Sequence, residues 1–128
     1  MRLLLVDDER FTREGIYSLT PWKELGIDEV ITAEDGEDGL EKALLFAPEI
    51  VLTDVKMPRM DGVAMSFQIR EKFPDCSIIF MSGYMEIEYL KSAIRLSAVD
   101  YIEKPIDLSV VETALRKAAD EIREKKRS

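Results

Sequence analysis

Five short, mostly apolar runs punctuate the chain: Leu3–Val6, Glu29–Ala33, Ile50–Thr53, Ser77–Met81 and Val99–Ile102. They are near-continuous rather than alternating, which predicts strands covered on both faces, the habit of a parallel sheet. Helix-length segments separate them. Leu40, Ala43, Leu44 and Ala47 sit at the i, i+3, i+4, i+7 spacing of one helical face. Leu108, Val111, Leu115, Ala118 and Ile122 trace another. Asp35 before Gly36, Asp61 before Gly62 and Asp107 before Leu108 are predicted N-caps. Thr20-Pro21-Trp22 reads as a cap, a proline at the first helical position and one extra turn. The pattern is five strands and five main helices in strict alternation, hence an α/β sheet with right-handed crossovers.

At 128 residues the chain has the size of one domain, and a 46% hydrophobic fraction predicts a globular core. No apolar run approaches the ~20 residues of a membrane span. The apolar start meets Asp7-Asp8-Glu9 too soon for a signal peptide. A single cysteine, Cys76, excludes an internal disulfide and fits a reducing cytoplasm; it reads as inert. The charged end, Arg123 to Lys126 and on to Ser128, reads as a solvated helix terminus or the start of a linker to an absent domain. The expected division is therefore 1–120 for the domain and 121–128 for the helix end or linker.

Charge and chemistry narrow the function. Histidine is absent, which removes imidazole acid/base chemistry, serine–histidine pairs and ordinary zinc sites. A net charge of −8 should repel nucleic acid and, where carboxylates converge, attract a divalent cation. In an open parallel sheet, functional groups collect at the carboxyl ends of the strands. Those ends offer Asp7-Asp8, Asp54, Ser82-Gly83 and Lys104-Pro105; the second strand offers only Glu34-Asp35. Should the first, third and fourth strands be central, with the fifth beside the fourth, three carboxylates share a pocket with a lysine and a hydroxyl. Hard oxygen ligands of this kind suit Mg²⁺. Such a pocket can offer a carboxylate as nucleophile to a phosphoryl group whose oxygens the cation, Lys104 and Ser82 hold.

The set Val6-Asp7-Asp8-Glu9, Leu52 to Gly62 with Met57-Pro58 and Asp61-Gly62, Met81-Ser82-Gly83-Tyr84 and Asp100 to Pro105 resembles the receiver domain of two-component response regulators, from about Arg2 to Arg116. Thr20 to Gly26, and Glu88-Tyr89 after Tyr84, resemble the YesN/AraC-like subgroup. The resemblance implies a flavodoxin-like, doubly wound five-stranded sheet of order 2-1-3-4-5, the order of a chemotaxis receiver. It implies that Asp54 is the phosphoacceptor and that Asp8, Asp54 and the backbone carbonyl of Lys56 bind Mg²⁺, with Asp7 acting mainly through water. It further implies that Ser82 and Lys104 hold phosphoryl oxygens, that Tyr101 turns inward on activation, and that Lys104-Pro105 is cis. The donor is then a sensor histidine kinase, and the chain is a switch rather than a turnover enzyme. Its output is transcription through an AraC-type DNA-binding domain absent from this sequence. The charges of both signs at Lys91, Arg95, Asp100, Glu103, Glu112 and Arg116 suit a weak, self-complementary homodimer that phosphorylation strengthens, the alternative being a monomer whose same face contacts an effector domain.

Two other readings compete. An aspartyl-phosphate phosphatase of the haloacid-dehalogenase type needs a second Asp two residues after the first, where this chain has Lys56. A flavin-binding electron carrier needs a hydroxyl- and glycine-rich phosphate loop after the first strand, where this chain has Asp7-Asp8-Glu9. Two residues depart from the receiver pattern. Ser97 stands where glycine is common, so the preceding helix should stop early or hold Ser97 left-handed. Gly39 lies inside the second helix, at a cost of about 1 kcal/mol.

Overall fold

The computed structural model describes residues 1–83 and 87–127; Tyr84, quoted in the motifs above, lies outside the described residues. Ten elements alternate: β1 Arg2–Val6, α1 Arg10–Leu19, β2 Glu29–Ala33, α2 Gly36–Phe46, β3 Ile50–Asp54, α3 Gly62–Lys72, β4 Ser77–Ser82, α4 Ile87–Arg95, β5 Asp100–Glu103 and α5 Leu108–Arg127. The strands form one parallel sheet of order β2-β1-β3-β4-β5. This is the flavodoxin-like order expected.

Alternate strand residues serve opposite helix layers. Leu3, Leu5, Ile50, Leu52, Ile79, Met81 and Ile102 pack against α1 and α5 through Ile16, Val111, Leu115, Ala118 and Ile122. Leu4, Val6, Val51, Ile78 and Phe80 pack against α2, α3 and α4 through Ala43, Met65, Ile69, Ala93 and Leu96. Both layers are apolar, so the central strands read as unbroken runs in the sequence. The edge strands β2 and β5 are only partly covered.

The predicted caps hold. Asp35 accepts from the Asp38 N–H at 2.8 Å, Asp61 from Ala64 at 2.7 Å and Asp107 from Ser109 at 2.9 Å. Two expectations need correction. The inward face of α2 holds only in part: Leu40 and Ala43 pack inward, but Leu44 is half exposed, and Ala47 lies past the helix end with φ 52°. Gly36 and Gly39 complete the buried face beside Ala43. A side chain at Gly39 would crowd the Met65 sulfur and Val6, so its helix cost is offset by close approach to β1 and α3. The Thr20 hydroxyl, read as a cap, has no hydrogen-bond partner among the described residues; a turn over 22–26 follows, and the Trp22 ring N–H bonds to the Tyr17 carbonyl.

Ser97 takes the left-handed option. Its φ is 51°, its N–H bonds to the Ile94 carbonyl at 3.0 Å, and the Ala98 N–H reaches the Ala93 carbonyl at 2.9 Å. This is a Schellman closure of α4 with serine at the position glycine prefers. Left-handed backbone costs an L-residue about 1–2 kcal/mol, and glycine's larger unfolded entropy offsets part of any gain. Ser97→Gly should therefore raise stability by about 1 kcal/mol in urea unfolding; a lowered midpoint would contradict this.

Candidate functional site

The sheet delivers its functional groups to one end. Asp7 follows β1 directly; its N–H still bonds to the Ala33 carbonyl at 3.2 Å, so the sheet fixes its backbone. Its side chain is fully buried, and one oxygen accepts from the Glu9 N–H at 2.9 Å. Asp54 ends β3 in register with Met81 and is 7% exposed. Its Oδ1 accepts from the Val55 N–H at 2.9 Å, while its carbonyl accepts from the Thr53 hydroxyl at 2.8 Å. Lys104 follows β5, and its N–H bonds to the Ser82 carbonyl at 2.8 Å. Its Nζ lies 3.1 Å from Asp7 Oδ2 and 3.3 Å from Asp54 Oδ2. Lys104-Pro105 is cis, as expected.

Asp8 is exposed beside this buried pair, and one oxygen from each of Asp7, Asp8 and Asp54 lies within 4.8 Å of the others. Ser82 ends β4 and is buried. Lys56, two residues past Asp54, is exposed at its side chain. Tyr101 is half-buried on β5, its ring centroid 6.5 Å from that of Phe80. Of the residues named from the sequence, Asp7, Asp8, Asp54 and Lys104 are brought together here, and Ser82 stands at the same end of the sheet through its carbonyl bond to Lys104 N–H.

The groups that brace them were not among those named. The Arg13 guanidinium donates to the Asp7 carbonyl at 2.7 Å. Gly62, quoted above only as part of a motif, lets α3 begin against β3: a Cβ there would collide with the Asp54 carbonyl. Arg13 carries no signal in the linear sequence, because only the fold of α1 brings it back to Asp7. A tight Asp-Gly after a strand signals close backbone approach but not its target.

The electrostatics follow from burial. Burial lifts the Asp54 carboxyl to about 6, and the Asp7 charge adds to the lift, while Lys104 opposes both. Burial also raises Asp7, against the Glu9 N–H and Lys104. Burial works to lower Lys104, but Asp7 and Asp54 together hold it above the ordinary lysine value. One ammonium therefore faces three carboxylates. An oxygen-only donor set, two members buried and one open to solvent, fits a hard divalent cation. Cys76, at the opposite pole, is buried and its thiol is pushed up to about 12, which accords with an inert residue.

Comparison with known proteins identifies the arrangement. Residues 3–116 match the response regulator receiver domain family. The chain belongs to that family. The receiver is 38% identical over 114 residues to an uncharacterized response regulatory protein of Staphylococcus epidermidis, covering 89% of this chain and 45% of that protein. It is 36% identical to the transcriptional regulatory protein HptR of Staphylococcus aureus, covering 89% and 44%. The receiver thus spans less than half the length of these curated relatives. Among solved structures it resembles a two-component transcriptional regulator AraC from Clostridium phytofermentans, with 42% identity, TM-score 0.87 and coverage of 98% and 97%. It also resembles the receiver domain of AraT from Geobacillus stearothermophilus, with 37% identity, TM-score 0.91 and the same coverage. No described helix is long and apolar enough to cross a membrane.

Proposed function

We propose that Asp54 accepts a phosphoryl group from a sensor histidine kinase, and that this phosphorylation switches the receiver between two states. The observation that carries the reading is the Lys104 ammonium held between Asp7 and Asp54 in a pocket with more carboxylate than cation. An Asp54 oxygen attacks phosphorus in line with the donor; the P–N bond to the kinase imidazole breaks, its electron pair leaving with the nitrogen, and a P–O bond forms. Asp8, Asp54 and the Lys56 carbonyl would hold Mg²⁺, with Asp7 acting through water; when bound, the cation supplies positive charge to the phosphoryl oxygens. A receiver complex from Borrelia burgdorferi, 27% identical with TM-score 0.79 over 90% of this chain and 86% of that one, was solved with beryllofluoride and magnesium, which supports this choice of metal. The Ser82 hydroxyl donates to one phosphoryl oxygen and the Lys104 ammonium to another. On this reading the chain acts as a switch and catalyses only its own phosphorylation and dephosphorylation.

A protein donor also has a surface to use. A groove of about 570 Å³ beside Lys104 is lined by Phe11, Leu19, Pro105 and Ile106, and Phe11 is 88% exposed. Apolar surface this close to the reactive carboxylate favours a docked helix over a free small molecule. Output runs through an AraC-type DNA-binding domain elsewhere in the full-length regulator, a reading supported by the AraC and AraT relatives. The setting is the cytoplasm, where Cys76 stays a thiol.

Acetyl phosphate with Mg²⁺ should add one phosphoryl group, and borohydride reduction of the acyl phosphate should convert Asp54 to homoserine. Homoserine at Asp7 or Asp8 would overturn the assignment. Activation should also strengthen a weak homodimer through α4, β5 and α5. Lys91, Arg95, Asp100, Glu103 and Arg116 are exposed there, and Ile94, 77% exposed, supplies the apolar centre that surface ion pairs cannot. Sedimentation with beryllofluoride should show dimer in the wild type and monomer in Ile94→Lys. A wild-type monomer in both states would leave the same face to contact the output domain.

A further inference from the structure

Glu34-Asp35, at the carboxyl end of β2, takes no part in the carboxylate cluster, yet the start of α2 grips the loop that carries Lys56. Asp35 is buried and uses both carboxylate oxygens. Oδ1 caps α2 at Asp38, and Oδ2 lies 3.5 Å from Arg59 Nε. Arg59 is held at φ 70°, a conformation an arginine enters only under constraint. One residue on, Gly36 meets the same loop: a Cβ there would collide with the Met60 carbonyl, and Met60 C and Cβ would also be too close. At its base the loop is closed by Gly62 N–H to the Val55 carbonyl at 2.7 Å and tied to the sheet by Val55 N–H to the Met81 carbonyl of β4 at 3.0 Å. Its tip, Arg59-Met60, rests against α2.

We infer that Asp35 and Gly36 are positioning residues for the metal site, fixing through Arg59 and Met60 the loop that presents the Lys56 carbonyl; this rests on the metal reading proposed above. Neither residue touches the reacting atoms; both act by holding the 55–61 backbone against displacement. The two contacts are independent, one ionic and one steric. A positioning role also explains a buried aspartate at a cap where serine would serve.

The test separates positioning from helix capping. Asp35→Ser keeps a capping oxygen for Asp38 but loses the Arg59 partner. Gly36→Ala adds the colliding methyl. Ala47→Gly, at the far end of α2, is the control. Mg²⁺ affinity is read by titration calorimetry, and metal-free melting is followed in parallel. Asp35→Ser should bind Mg²⁺ about tenfold more weakly than wild type, the loss typical of groups that orient ligands, with metal-free melting close to wild type. Gly36→Ala should weaken binding at least as much, and Ala47→Gly should bind as wild type does. Wild-type affinity in Asp35→Ser, or an equal loss in Ala47→Gly, would overturn the inference. Wild-type protein that binds no Mg²⁺ at all would instead remove the metal reading on which it stands.

Discussion

Asp54→Asn, in the absence of divalent cations, should be more stable than the wild type at neutral pH by about 2 kcal/mol. The Asp54 carboxyl sits near 6 in the fold against an ordinary 3.8. A folded value above the unfolded one means that the native state binds the proton more tightly. Its contribution to stability is then complete below about pH 4 and lost as pH rises through about 6. At neutral pH the wild type carries a buried carboxylate that burial and Asp7 disfavour. The displacement of roughly two units corresponds to about 3 kcal/mol. Asparagine removes the charge but keeps an acceptor for the Val55 N–H, and it costs Lys104 one of its two partners, which leaves about 2 kcal/mol. The gain should shrink toward zero as pH falls to about 4, where the wild-type carboxyl is itself protonated. Saturating Mg²⁺ should stabilise the wild type more than the variant and narrow the gap. A wild type more stable than Asp54→Asn in chelator at neutral pH would contradict this account of the site's electrostatics.

Lys104→Met should act in the opposite direction, with a loss of about 3 kcal/mol in metal-free buffer near pH 7. Methionine matches the stem of lysine, so the change removes chiefly the ammonium that lies 3.1 Å from Asp7 and 3.3 Å from Asp54. Removing one partner of a buried ion pair is costly because it strands the other. Here it strands two carboxylates, both buried. Their pKa values should rise further, so the variant should lose stability with rising pH more steeply than the wild type. At acidic pH, where these carboxyls protonate, the deficit should be much smaller. Urea unfolding across this range reads the effect. A deficit below about 1 kcal/mol, or one independent of pH, would show that the ammonium is a surface charge with little hold on the pair.

The chain reveals its site more readily than its braces, for a physical reason. In a parallel sheet covered on both faces, strands must be apolar, so a polar residue at or just past a strand's carboxyl end stands out. Asp7, Asp54, Ser82 and Lys104 were legible for that reason. Register does the rest, because the strand order brings those ends together. The inward face of α2 was read only in part because two of its contacts are glycines. A hydrophobic period registers apolar side chains, whereas Gly36 and Gly39 are buried because they have none. Arg13 on Asp7 and Arg59 on Asp35 were invisible for a different reason. Each joins groups that only the folded chain brings together, and a lone arginine on a polar surface has no pattern to mark it. Ser97 was legible as a problem, since a serine where a helix wants glycine admits few solutions, and the fold adopts one of the two foreseen.

Asp54 is proposed as the phosphoacceptor, with Mg²⁺ required for the transfer. Intact-mass spectrometry after acetyl phosphate treatment tests this most directly, on wild type, on Asp54→Asn and on wild type in excess chelator. One phosphoryl adduct is expected on the wild type with Mg²⁺ and none in the other two samples. A full adduct on Asp54→Asn, or an undiminished one in chelator, would contradict it.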